Sequence, residues 1–235
     1  ASFGVWKSKF RMAKKNTAGR IKVLLAFLLL FGPALILIFI STRGCEHKFK
    51  VLEDYGKAVN YSFTDADGSK RSYKDFKDKV VLVNTLQATC PNECAVSFWH
   101  MDQLIYQKIR KNKKEVGSVR IISFVTDGNG EPVDDLESVR TMLEDQVEGY
   151  DPEIWILASG DSREMYNFEN NNKSLLQKGE EYFGGEAYQE LLLLLDRKNH
   201  LRMVHSGKSE GMIRRMMDHI GLLQKQYDKA THKKK

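Results

Sequence analysis

Residues Val23 to Ser41, VLLAFLLLFGPALILIFIS, form an uncharged and almost wholly apolar run near the start of a 235-residue chain. A helix needs roughly 20 such residues to cross the hydrocarbon core of a bilayer, whereas the apolar part of a cleavable signal is about 7–15 residues long. The length therefore predicts one retained membrane span, placed at residues 23–42. Gly32 and Pro33 lie inside it and predict a kink, tolerable because neighbouring groups re-satisfy the freed carbonyls.

Lys7, Lys9, Arg11, Lys14, Lys15, Arg20 and Lys22 precede the span, and only Arg43 follows it closely. Basic residues gather on the cytoplasmic side, so residues 1–22 are expected inside and the rest of the chain, from about residue 45, outside. These seven charges exceed the net charge of +6, and no acidic residue accompanies them, so the remainder carries −1. No basic aromatic patch or binding motif occurs, and no nucleic-acid partner is expected. Cys45 follows the span, but Arg43 occupies a place where a lipoprotein signal has a small or apolar residue, so an incidental thiol is expected there. The first residue is Ala1, not Met, and removal of a transit peptide would account for it, with the matrix then replacing the cytoplasm as the inside.

The outer part alternates between two kinds of pattern. After a polar tether at 43–58, an Asp67-Gly68 step between strand-like runs predicts a hairpin. Val80 to Thr85 is β-branched and apolar, as in a strand buried on both faces. Cys94, Phe98, Met101, Ile105 and Ile109 then recur at helical spacing. Further on, a strand is expected at Val119–Val125, a helix around Asp134–Glu148, a strand at Ile154–Leu157 and a short helix after Asp161. Polar, Asn-rich Asn167 to Lys178 predicts an exposed loop or frayed helix. Leu191–Leu195 and His200–Val204 read as an antiparallel pair, and Glu210–Tyr227 as a closing amphipathic helix. Its Met212, Ile213, Met216, Met217, Ile220 and Leu223 form a stripe read as core, since Met fills irregular gaps. Strands alternating with helices, ended by a hairpin and a helix, predict an α/β domain with a mixed central sheet in the thioredoxin order. The expected division is 1–22 basic segment, 23–42 transmembrane helix, 43–58 tether, 59–228 domain and 229–235 basic tail.

Cys90 and Cys94, in Thr89-Cys-Pro-Asn-Glu-Cys94, are the candidate reactive residues. Pro91 suits a first helical turn, so Cys90 is expected at a helix N-terminus, where unpaired N–H groups stabilise a thiolate. At i, i+4 spacing the two sulfurs can converge to close a disulfide or to hold a soft ion such as Cu(I). The opposing reading is two inert buried thiols, which a proline-containing strand–loop–helix junction suits poorly. Zinc would need a second ligand pair at proper spacing, and none follows.

In this setting the sequence resembles the Sco (SenC/PrrC-like) family, membrane-tethered thioredoxin-fold factors for assembly of the copper centre of cytochrome oxidase. The resemblance runs over about residues 59 to 223. It rests on Phe63-Thr-Asp-Ala-Asp-Gly68, Lys79-Val-Val-Leu-Val83, the CPxxC centre, Ser123-Phe-Val-Thr-Asp127 with Glu131-Pro132, Trp155 to Gly160, and Leu194-Leu-Asp196. It implies thiol–disulfide exchange by Cys90 and Cys94, copper at the same two residues, and a respiratory oxidase as partner. It further implies that the domain lies in the periplasm or the mitochondrial intermembrane space. The family's third copper ligand is a His eight residues before the residue ending the penultimate strand, and Tyr188 holds that place here. A phenol is a poor Cu(I) ligand. His47, His100, His200, His205 and His219 all lie elsewhere. A second expectation is therefore a non-catalytic accessory subunit of a membrane complex. A peroxidase is disfavoured because Gln87 stands where peroxiredoxins carry Thr, and a general reductase because its usual CxxC spacing is absent.

Overall fold

A computed structural model describes residues 17–44, 51–88, 98–170, 173–176 and 188–232. The chain divides into two compact units, Ala1–Lys48 and Phe49–Lys235.

In the first unit, helix α1 spans Thr17–Gly44 and continues through Pro33. Phe27 to Phe31 and Leu35 to Ile40 are all exposed. A helix apolar on every side requires apolar surroundings. Residues Ile21–Ile40 have the length and composition of a membrane anchor or a signal sequence.

The second unit is built on a seven-stranded mixed sheet. Its strands are β1 (Ser62–Asp65), β2 (Lys70–Ser72), β3 (Val80–Gln87), β4 (Val119–Thr126), β5 (Trp155–Ser159), β8 (Leu191–Leu195) and β9 (Leu201–Ser206). Their order across the sheet is β2-β1-β5-β4-β3-β8-β9. β3, β4 and β5 run parallel, and the other neighbours pair antiparallel. Helix α2 (described over residues 98–111) precedes β4, α3 (Glu137–Gln146) joins β4 to β5, α4 (Ser162–Tyr166) follows β5, and α5 (Glu210–His232) closes the chain. The expected thioredoxin-like α/β architecture is present.

Strand periodicity divides the core. Val80 and Leu82 of β3, with Leu192 and Leu194 of β8, face the layer that holds α2, α3 and α5; Val81, Val83, Leu191, Leu193 and Leu195 face the opposite layer. That is why β3 and β8 carry apolar residues at successive positions. The expected helical faces are also buried: Met101, Ile105 and Ile109 on α2, and Ile213, Met216, Ile220 and Leu223 on α5. Within α2, Asp102–Tyr106 takes π-helical hydrogen bonding, which admits one extra residue to the turn and buries Tyr106 beside Ile105. Tyr106 Oη donates to the Gly149 carbonyl at 2.7 Å.

Three expectations are corrected. Part of the Asn-rich stretch is a small hairpin, β6 (Glu169–Asn170) with β7 (Lys173–Ser174), flanked by the buried Phe168 and Leu175; these two apolar side chains outweigh the polar composition around them. From Val51 onward the segment expected as tether is folded onto β9: Tyr55 N–H donates to the Leu201 carbonyl and Leu201 N–H to that of Gly56, both at 2.9 Å, with Leu52 buried beneath. Helix α5 continues past Tyr227 to His232, into the expected tail.

Candidate functional site

Cys90 and Cys94, the residues expected to carry thiol chemistry and copper, lie outside the described residues, as does His47. The described residues on either side of the cysteines in sequence are Ala88 and Phe98. On one side β3 ends at Gln87, and the N–H of Ala88 donates to the Thr126 carbonyl at 2.8 Å, holding the chain against β4. On the other side the described part of α2 starts at Phe98. The residues that carry the cysteines thus follow the carboxyl end of a central parallel strand, the end of the sheet at which open α/β folds bind their ligands.

The surroundings of that strand end are built from three further segments. β4 finishes at Thr126, whose Oγ1 is fully buried and makes no hydrogen bond among the described residues. Next comes a tight turn, in which the Asp127 carboxylate accepts from the N–H groups of Asn129 at 2.8 Å and Glu131 at 2.9 Å. These donors stabilise the charged form and hold the Asp127 carboxyl below its usual pKa. Gly130 has φ +85°, a conformation that side chains disfavour, and it lies against Tyr188 and Gln189: a Cβ added there would meet Tyr188 Oη at 3.1 Å. Arg163 of α4 pairs with Glu131 at 2.9 Å, joining the turn to the neighbouring helix.

Tyr188 belongs to the third segment, the 3-10 turn Tyr188–Glu190 before β8. Because Val83 pairs with Leu193 and Val81 with Leu195, the start of β8 lies beside the carboxyl half of β3. Thr85 Oγ1 donates to the Gln189 carbonyl at 2.5 Å and fixes that placement. The position eight residues before Asp196 is therefore at the strand end from which the cysteine segment departs. The Tyr188 ring packs 5.2 Å from that of Tyr166, and its buried Oη makes no hydrogen bond among the described residues. Burial also pushes the Tyr166 hydroxyl far above its usual pKa, and it donates to the Leu191 carbonyl at 2.8 Å.

The described histidines do not take the place of Tyr188. His200 lies in the β8–β9 connection, beside the start of β3 and roughly 20 Å of strand from its carboxyl end. There it pairs with Asp54 at 2.9 Å. His205 and His219 face each other between β9 and α5. His100, on α2, sets its ring 5.2 Å from that of Trp99, and its buried Nδ1 makes no hydrogen bond among the described residues. No group of three or more His, Cys, Asp and Glu with metal-binding placement occurs among the described residues. The sequence reading missed Thr85, Arg163 and Gln189, whose parts depend on partners distant in the chain; Gly130 alone carried a local signal, as a turn glycine.

No protein-family model matches the sequence, and no curated protein matches it. Among solved structures the chain is similar to a SCO1/SenC family lipoprotein from Bacillus anthracis, with 23% identity, a TM-score of 0.52, and coverage of 72% of this chain and 95% of that one. It is also similar to BsSco, described as a member of the Sco family of cytochrome c oxidase assembly proteins with a disulfide switch. That match has 17% identity, a TM-score of 0.54, and coverage of 74% and 98%. At these identities the likeness carries the fold: the second unit of this chain is a thioredoxin-like domain of the architecture found in Sco proteins.

Proposed function

We propose that the chain is a Sco-type, membrane-anchored protein that carries out thiol–disulfide exchange through Cys90 and Cys94 during assembly of a respiratory oxidase. One observation supports this reading: the residues flanking the cysteines in sequence, the end of β3 and the described part of α2, belong to a fold shared with Sco structures. The disulfide switch ascribed to BsSco supports the same chemistry here.

Cys90, nearer the strand, attacks a partner disulfide as thiolate; its sulfur bonds to one partner sulfur and the other leaves as thiolate. Cys94 then attacks Cys90, forming the Cys90–Cys94 disulfide and releasing the second partner thiolate. Two electrons pass to the partner, and solvent protons balance the thiolates. Copper enters this reading as cargo at Cys90 and Cys94. The chain fits a three-ligand Cu(I) set poorly, because the third place is held by Tyr188, a phenol packed against Tyr166. Exchange is therefore placed ahead of delivery.

In this proposal residues 1–22 lie on the cytoplasmic or matrix side, 23–42 cross the membrane, and the domain works in the periplasm or intermembrane space. Titrating the reduced full chain in detergent with Cu(I), against a chelator, separates the roles. Tight binding lost in Cys90→Ser, Cys94→Ser establishes cargo handling; equal weak binding in both forms leaves exchange. The buried Tyr188 hydroxyl, without a hydrogen bond among the described residues, favours a second reading, an accessory subunit that has lost the ligand His. Stoichiometric co-purification with an oxidase, without a mixed disulfide, would support it.

A further inference from the structure

Away from the cysteine connection, two imidazoles meet between the edge strand and the last helix. His205 Nε2 on β9 and His219 Nδ1 on α5 are 3.0 Å apart, with ring centroids 4.9 Å apart and ring planes at 23°. Both elements are held firmly. His205 sits in register opposite Leu192 of β8, and Met216 and Ile220, either side of His219 on α5, are fully buried. Both rings are themselves only partly covered, so solvent reaches them.

Two imidazole nitrogens bound to one tetrahedral ion at ~2.0–2.1 Å stand ~3.3 Å apart. Opening the pair by a few tenths of an ångström would therefore admit an ion, and folding has already brought the ligands together. We propose that His205 and His219 form a two-imidazole site for a borderline divalent transition-metal ion, of the Zn(II) or Ni(II) class, which clamps α5 to β9. Imidazole suits these ions. Two protein nitrogens give modest affinity, with solvent oxygen on the open side.

The hydrogen bond leaves one proton between the facing nitrogens, and an entering ion would displace it to the other nitrogen of its ring, freeing both lone pairs for the metal. Arg215 opposes a second positive charge, but it lies on the exposed face of α5, where solvent screens it.

The test uses the full chain in detergent with Cys45, Cys90 and Cys94 replaced by Ser, so that no thiol competes and the result is independent of the function proposed above. Zn(II) alone, followed by calorimetry at pH 7, is expected to bind one-to-one, with affinity at least tenfold lower in His205→Ala and in His219→Ala. Undiminished binding in both variants, or no saturable binding in the parent, would overturn the site. Because an alanine variant can unfold, imidazole 15N NMR of the parent supplies a second reading. Stoichiometric Zn(II) should shift His205 Nε2 and His219 Nδ1; shifts confined to other histidines would overturn the proposal.

Discussion

Thr85 Oγ1 donates to the main-chain carbonyl of Gln189 at 2.5 Å, joining the last residues of β3 to the segment before β8. Through this bond the carboxyl end of β3, from which the cysteine connection departs, and Tyr188 become neighbours in the fold. The arrangement makes Tyr188 the natural place to probe copper handling.

Replacing Tyr188 by His is expected to complete a two-Cys, one-His set and raise Cu(I) affinity at least tenfold, about 1.4 kcal/mol. Competition titration of the reduced chain checks this. The Oη has no hydrogen-bond partner among the described residues, so Tyr188→Phe should leave stability within about 0.5 kcal/mol of the parent. An unchanged Cu(I) affinity in the His variant would remove Tyr188 from the site.

For the exchange reaction, Cys90→Ser should abolish reduction of a partner disulfide. Cys94→Ser should instead accumulate a mixed disulfide through Cys90, visible as a reductant-sensitive band on non-reducing gels. Accumulation through Cys94 in the Cys90 variant would reverse the two roles.

Ser123 Oγ donates to Asn84 Oδ1 at 2.7 Å and accepts from Trp155 Nε1 at 2.8 Å, all within the buried sheet. Ser123→Ala strands the indole N–H without a partner, at an expected cost of about 2 kcal/mol. Urea unfolding measures it, and a loss below about 0.5 kcal/mol would mean that the network contributes little.

Leu175, next to the β6–β7 hairpin, is 1% exposed. Leu175→Ala should cost about 2–4 kcal/mol by creating a cavity. A surface loop, as the polar composition alone reads, would lose almost nothing, so the midpoint of unfolding separates the two.

His205 is kept neutral in the fold, with its pKa lowered to about 4 by burial, His219 and Arg215. In the unfolded chain it takes up a proton near pH 6.5. The folded state is therefore fully favoured above about pH 6.5 and loses this contribution as the pH falls toward 4. The ring is half exposed, which reduces the effect to about 1 kcal/mol or less. Comparing Tm from pH 7 to 4.5, His205→Gln should show a shallower decline than the parent; parallel slopes would refute the assignment.

How much of this was written in the sequence varies with how local the cause is. The apolar run from Val23, the continuous strands at Val80 and Leu191, and the helical stripes on α2 and α5 are set by spacing and side-chain character, which act over a few residues, and these features appear in the fold as read. The likeness to Sco proteins was also readable, from short motifs in their order along the chain. The Asn-rich stretch misled because two buried side chains, Phe168 and Leu175, decide its structure against the majority composition. Residues 51–58 misled for a related reason: main-chain hydrogen bonds to Asn199 and Leu201, together with the Arg202 guanidinium on the Glu53 carbonyl, hold them to β9 and the turn before it, and such bonds leave no mark on composition.

By itself, then, the sequence determined the membrane-length apolar helix, the order of strands and helices, and the candidate pair Cys90 and Cys94. Only the tertiary structure brought Tyr188 beside the end of β3, seated Gly130 against it, and set His205 against His219. Each of these contacts joins segments whose proximity depends on strand order and register, and a sheet whose neighbours are not consecutive in the chain fixes them only once it is assembled.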